Sequence, residues 1–195
     1  MTWIKPVSLE GRYARLFPLA LDHDAALRRA VSDGELWKLW YTTIPDPDSM
    51  PSEIERRLAL QLQGLMLPFT VFDAAGEVVG MTTYMNIDAA HHRLEIGSTW
   101  YRKSVQRTSL NTECKLLLLR HAFDDLACIA VEFRTHFLNA TSRRAIERLG
   151  AKLDGILRCH QMDRNGLLRD TCVYSITQAE WPTVRKGLEW RLSQD

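Results

Sequence analysis

Within residues 99–113, TWYRKSVQRTSLNTE, the side chains of Arg102, Lys103 and Arg107 stand among small hydroxyl and amide residues. An apolar run at 94–100 precedes them, and a helical segment, CKLLLLRHAFDDL, follows. A strand, a short basic loop and a helix start make an anion-binding geometry. The first N–H groups of a helix have no internal partner, and its dipole favours negative charge at that end. Ser109 or Asn111 caps the helix in this reading. The bland alternative is a solvated surface loop. A second set of reactive groups lies on the flanking strands. Alternation puts Arg93, Glu95, Gly97 and Thr99 on one face, opposite Leu94 and Ile96. On the next strand Glu132, Arg134 and His136 share a face, opposite Val131 and Phe133. Carboxylates can order a water and take a proton through it, and an imidazole has the most suitable intrinsic pKa. Central strands covered by helices should be apolar on both faces. These polar rows therefore either line a wet cleft or pair with one another as structural ions.

The elements that must position these groups follow from pattern and punctuation. Residues 13–19 form a first strand, and Asp22-His23-Asp24 opens a helix through Leu27, Ala30 and Val31. The segment 36–51 is dense in aromatics and prolines, which makes it a stiff, partly exposed connection. Ser52-x-x-Glu55 is a capping box for a helix that stops near Gly64. Strands at 69–72, 78–85 and 93–100 are joined by short turns, so they pair as antiparallel hairpins. The helix 112–126 is apolar around much of its circumference and must be covered on more than one side. A strand at 129–135 follows, and strand–helix–strand implies a right-handed parallel crossover. Asn139 opens another helix, closed at Leu149-Gly150. Residues 156–162 and 169–177 form a hairpin through Asp163-Arg164-Asn165-Gly166, and a last helix starts near Trp181. The order β-α-α-β-β-β-α-β-α-β-β describes an α+β domain with a mixed, mostly antiparallel sheet of about seven strands flanked by helices. One domain is expected over 1–195, since single cores run to roughly 250 residues.

Composition narrows the function. The 195 residues are 46% hydrophobic and 25% charged, ordinary globular values, with a net charge of +1. A strongly basic nucleic-acid face has no compositional support. No apolar run approaches the ~20 residues of a membrane span, and MTWIKPVSLEGRY lacks a signal-peptide core, so a cytoplasmic location is expected. Cys114, Cys128, Cys159 and Cys172 show no metal-ligand spacing. No metal is expected, and the thiols are expected to be free and mostly buried.

The loop Gln106-Arg107-Thr108-Ser109-Leu110-Asn111, with Thr112-Glu113 after it, resembles motif A of the GNAT acetyltransferase superfamily in its Rim-type (ribosomal-protein N-terminal acetyltransferase) form. Ser109 and Asn111 stand where that motif has small residues. Asn139-x-x-Ser142 with Leu149-Gly150 is similar to the family's motif B helix, and the closing hairpin up to Tyr174-Ser175-Ile176 resembles that of Rim-type members. The element order is the family's as well.

The resemblance implies an N-acyltransferase that moves an acetyl group directly from acetyl-CoA to a primary amine, on a peptide N-terminus, an amino acid or a small molecule. The backbone of Thr99, Trp100, Tyr101 and Arg102 would pair with pantetheine between splayed strands. Residues Gln106 to Thr112 would hold the pyrophosphate, including Arg107, Thr108, Ser109, Leu110 and Asn111. Lys103, Arg143 and Arg144 join Arg102 and Arg107 as candidate phosphate partners, and Asn139 belongs to the same cofactor set. Ser142 matches the residue near the CoA sulfur and is the candidate acid for the leaving thiolate. The family's tyrosine position holds Ile146. Glu95 is the first candidate base, followed by Glu132 and His136. The connection from Trp37 to Met50 would form one wall of the acceptor cleft, with Asp46 and Asp48 able to attract a cationic amine. A homodimer is compatible with all of this. The alternative is a CoA-binding or regulatory module without turnover.

Overall fold

The computed structural model describes residues 3–163 and 165–194; Met1, Thr2, Asp195 and Arg164 of the expected closing turn lie outside the described residues. Alternation along β2 (Ala14–Pro18) buries Ala14 and Leu16, and β1 (Leu9–Glu10) folds back on it with Leu9 opposite Leu16. The sheet therefore has eight strands where patterning gives about seven. Two residues are too short to carry a periodic signal. After β2 come β3 (Met66–Asp73), β4 (Val78–Asp88), β5 (Arg93–Tyr101), β6 (Ala130–His136), β7 (Lys152–Met162) and β8 (Leu168–Thr177), in the spatial order β1-β2-β3-β4-β5-β6-β8-β7. Among the described strands only β5 and β6 pair in parallel.

Helices cover both faces. On one, α1 (Asp24–Ser32) and α2 (Met50–Leu62) bury Leu27, Val31, Met50 and Ile54 against Met81 and Trp100. On the other, α3 (Ser109–Arg120), α4 (Ala140–Leu149) and α5 (Trp181–Leu192) close over the larger core, with Leu118, Leu119, Ile146, Leu149, Trp181 and Leu188. Helix α2 is capped differently from expectation. Its N-cap is Ser49, Pro51 sits in the first turn where a missing N–H costs nothing, and Ser52 lies inside the helix with its hydroxyl donating to the Ser49 carbonyl (2.9 Å). Helix α3 starts three residues before the expected boundary and gives way at Arg120 to a π-helical turn, His121–Asp125. Gly150 closes α4 at φ 101°, a conformation that glycine adopts without strain. Three thiols are buried, whereas Cys159 is exposed on β7. No described helix is long and apolar enough to cross a membrane.

The functional geometry starts where the parallel pair ends. Residues Arg93, Leu94 and Glu95 of β5 pair with Ala130, Val131 and Glu132 of β6, and there the register stops. Both strands continue, β5 to Tyr101 and β6 to His136, so a gap opens between them. A bulge accompanies the opening. Thr83 pairs with Gly97 and Met81 with Trp100, so Ser98 and Thr99 together oppose Thr82, with Ser98 at φ 48°.

Candidate functional site

The bulge changes which way β5 side chains point. Leu94 and Ile96 face the α3 core and Glu95 the opposite side, as alternation requires. Past Ser98 the parity reverses: Trp100 joins the α1–α2 core and Tyr101 the α3 core. Thr99 therefore does not share a face with Glu95, as simple alternation predicts. It points toward α3, where its hydroxyl meets that of Thr82 (2.7 Å) and the Lys115 ammonium (2.9 Å). Lys115 also donates to Thr82 (3.3 Å). Burial lowers the Lys115 pKa to about 8.

At the end of β5 the basic loop is tightly anchored. Lys103 N donates to the Asp33 carbonyl (3.1 Å), Ser104 N to the Asp33 carboxylate (3.0 Å), and the Gln106 amide to the Tyr101 carbonyl (2.9 Å). Arg107 takes a left-handed backbone, φ 63°. The N-cap of α3 is Thr108, whose hydroxyl accepts from Leu110 N (3.4 Å) and donates to the Val105 carbonyl (2.8 Å). Ser109 and Asn111 are inside the helix and are not its cap. The left-handed turn at Arg107 shifts the helix start.

The α3 N-terminus opens onto a cleft of about 920 Å³. Arg107, Thr108, Ser109, Leu110 and Thr112 line it, together with Arg148 from α4 and Trp190 and Arg191 from α5. Arg191 donates to the Arg148 carbonyl, which fixes one side of its guanidinium. The acid in the lining is Asp73, held by Arg102 at 3.2 Å. Three guanidinium groups from three elements thus converge beside the positive end of a helix dipole, a setting suited to phosphate. Of the other expected cations, Lys103 and Arg144 are exposed outside the lining, and Arg102 is bound to Asp73. Arg143 is clasped by the Tyr174 hydroxyl (3.0 Å), the Phe137 carbonyl (3.3 Å) and the Phe137 ring. Arg148 and Arg191 escaped sequence reasoning, since each reads locally as an exposed helix residue.

At the top of α4, Asn139 is the N-cap and accepts from Ser142 N (3.0 Å). The half-buried Ser142 hydroxyl makes no hydrogen bond to a described residue.

The polar rows of β5 and β6 pair with each other. Glu132 accepts from Arg93 (2.6 Å) and from Arg134 (2.9 Å). Burial raises its pKa, but these two arginines outweigh that and hold it low. Glu95 is only 5% exposed. One of its oxygens, Oε2, accepts from Asn86 (2.7 Å) and lies 3.5 Å from Arg134. Burial dominates here and raises the carboxyl pKa. Its other oxygen, Oε1, accepts no hydrogen bond from a described residue and packs against Gly97, where a Cβ would meet both Met85 Sδ (2.7 Å) and Oε1 (2.8 Å). The His136 pKa is lowered by burial and then by Arg169. Its Nδ1 accepts from Leu138 N (3.0 Å), so in the neutral ring the proton sits on Nε2 and no lone pair is left for a base. Trp40, from the α1–α2 connection, packs edge-on against His136 (5.4 Å). In that connection Asp46 is occupied by Ser49 N (2.8 Å) and serves the start of α2.

An acetyltransferase (GNAT) domain model matches residues 15–152 of the chain. YdaF of Bacillus subtilis (strain 168), described as a candidate ribosomal N-acetyltransferase, is 29% identical over 106 residues; the match spans 54% of this chain and 57% of that relative's length. A solved GCN5-related N-acetyltransferase from Brucella melitensis is 30% identical, with 95% of this chain and 85% of that one covered at a TM-score of 0.85. RimJ of Mycobacterium smegmatis, solved in complex with CoA-disulfide, shares the fold at 24% identity, with 95% of each chain covered and a TM-score of 0.80.

Proposed function

The chain belongs to the acetyltransferase (GNAT) family, and on that premise we propose that it moves an acetyl group from acetyl-CoA to a primary amine. The observation that carries the reading is the gap where β5 parts from β6 after Glu95 and Glu132, with the arginine-lined cleft at the α3 N-terminus. CoA, present in the solved RimJ, fits this donor set. Strand edges released from pairing suit the pantetheine amides, and Arg107, Arg148 and Arg191 with the first turn of α3 suit its phosphates. The thioester supplies an activated acyl group. Glu95 fits the base better than its rivals. Its pKa is raised and Oε1 accepts no hydrogen bond from a described residue, whereas Glu132 is saturated by arginines and His136 lacks a free lone pair. Glu95 would take the ammonium proton through a water, leaving the amine free to attack. The Ser142 hydroxyl has no competing partner among the described residues and suits protonation of the departing sulfur. The acceptor side, walled by Trp40 and the β5–β6 polar row, suits an α-amino group on a peptide or amino acid. Release of thiol from acetyl-CoA across a panel of amines and peptides tests the reading. Turnover with one acceptor class is expected. Tight CoA binding with no release on any acceptor would instead mark a silent CoA-binding module, and no binding at all would end the proposal.

A further inference from the structure

Among the described residues Lys115 is a buried ammonium with no carboxylate partner, a costly arrangement that the surrounding fold nonetheless preserves. Its partners are two hydroxyls, Thr99 and Thr82, which also touch each other. A protonated lysine can only donate, so neither hydroxyl can donate back to it. Lys115 gives hydrogen bonds to both hydroxyls, and Thr82, fully buried with Thr99 as its remaining acceptor among the described residues, donates its O–H to Thr99. The Thr99 proton is then the one left over. Its acceptor within the chain is the Gly97 carbonyl at 3.4 Å, too long for a firm bond. Thr99 is also partly exposed on the face that α3 covers, so the opening beside it is the gap left by β6. Donors polarised in series are stronger than isolated ones.

We propose that the Thr99 hydroxyl donates to the thioester carbonyl oxygen of the bound acyl donor, and that Lys115 is the positioning residue that polarises and aims it. This rests on the acetyl-CoA reading above. When the amine nitrogen adds to the carbonyl carbon, charge gathers on that oxygen and returns as the carbon–sulfur bond breaks. A donor already aimed there lowers the barrier without itself losing its proton. Lys115 stays mostly protonated at neutral pH, and its one titratable influence, the Cys114 thiol, is pushed up to about 12 by burial and is neutral.

The test compares acetyl-CoA with S-ethyl-CoA, a thioether of the same shape without the carbonyl, by calorimetric titration. Wild type should prefer acetyl-CoA by about 3–10-fold, the worth of one hydrogen bond. Thr99→Val and Lys115→Met should bring the preference near unity, and Thr99→Ser should keep it. The carbonyl stretch of bound acetyl-CoA should rise in frequency in Thr99→Val, and kcat should fall about 100-fold. An equal preference in wild type and Thr99→Val overturns the proposal, even with a lower rate, and makes Thr99 a prop for the bulge. Should Lys115→Met fail to fold, the Thr99→Val and Thr99→Ser pair decides alone. Wild type that binds neither ligand defeats the acetyl-CoA reading itself.

Discussion

Glu113 and Lys115 sit two residues apart on α3, both buried, and the fold treats them in opposite ways. Glu113 faces the β1–β2 turn, where it accepts from the backbone N–H groups of Arg12 (2.9 Å), Tyr13 (2.5 Å) and Ala14 (2.7 Å). Lys115 faces the bulge of β5 and meets only hydroxyls. The carboxylate is satisfied and closes a turn that local sequence would leave loose. The ammonium has no countercharge among the described residues, and its chain of donors ends at a gap. Glu132 and Glu95 repeat the contrast, one saturated by arginines and the other with an oxygen that no described residue hydrogen-bonds. Arg143 and Arg191 repeat it again. Saturated groups hold the structure, and groups left short of partners mark where a ligand completes the set.

The largest effect should come from removing the saturated group. Glu113→Ala leaves three backbone donors facing a void, and at roughly 1–2 kcal/mol for each stranded donor the loss should be about 4 kcal/mol. Urea unfolding measures it. A loss under 1 kcal/mol would mean that water replaces the carboxylate freely and that the contrast with Lys115 is not one of structure against function.

Lys115→Met should behave differently, because a depressed lysine pKa is a stability cost. With the folded pKa near 8 and the unfolded value near 10.5, the unfolded chain binds more protons between those limits. Wild-type stability must then rise with pH across that window relative to Lys115→Met, in which the group is absent. The difference should change by about 3 kcal/mol between pH 7 and pH 11, since each pKa unit is worth roughly 1.4 kcal/mol. Paired unfolding curves at several pH values report it. A flat difference would show that the ammonium is fully solvated.

Much of the fold is legible in the sequence, and the reasons show in particular residues. Hairpins announced by Asp73–Gly76 and helix ends marked by Gly64 and Gly150 depend on local chemistry, so they were placed well. The polar rows of β5 and β6 stand out because alternation is local too. The bulge at Ser98 does not, since it is set by pairing with β4, and it turns Thr99 to the face opposite the one that alternation predicts. Lys115 was hidden inside an apolar run, where one polar letter looks like an exposed position. Arg107, Arg148 and Arg191 come from three distant stretches, and nothing local says that they meet.

Glu95 sharpens the same contrast by rate. Glu95→Gln should cost about 100-fold near neutral pH, the usual scale for a lost general base, and less at high pH where the amine deprotonates unaided. Glu132→Gln should cost stability through Arg93 and Arg134 with little pH-dependent change in rate. The carboxyl pKa of Glu95 is raised, so the folded state holds its proton longer than the unfolded chain. Wild-type stability relative to Glu95→Gln should therefore fall as pH climbs from the ordinary carboxylate range to that raised value. A variant equally slow at every pH would assign Glu95 to structure.

The smallest effect separates the two kinds of arginine. Arg191 borders the cleft, whereas Arg143 is spent on Tyr174 and Phe137. Arg191→Glu replaces a cation beside the expected phosphates by an anion, but the site is exposed and water screens it. A loss of about fivefold in CoA affinity at low salt is the scale to expect, shrinking as ionic strength rises past 0.15 M and the Debye length falls below roughly 8 Å. The 3′-phosphate offers an internal control. Dephospho-CoA, which lacks it, should bind wild type and Arg191→Glu more nearly alike if Arg191 faces that group, and should show the full fivefold loss if Arg191 faces the pyrophosphate. Arg143→Gln should leave both affinities within twofold and lower the melting temperature, because the Tyr174 hydroxyl loses its donor while keeping Glu147 as acceptor at 2.8 Å. If Arg143→Gln weakens CoA as much as Arg191→Glu does, saturation within the chain is no guide to which cations the ligand uses.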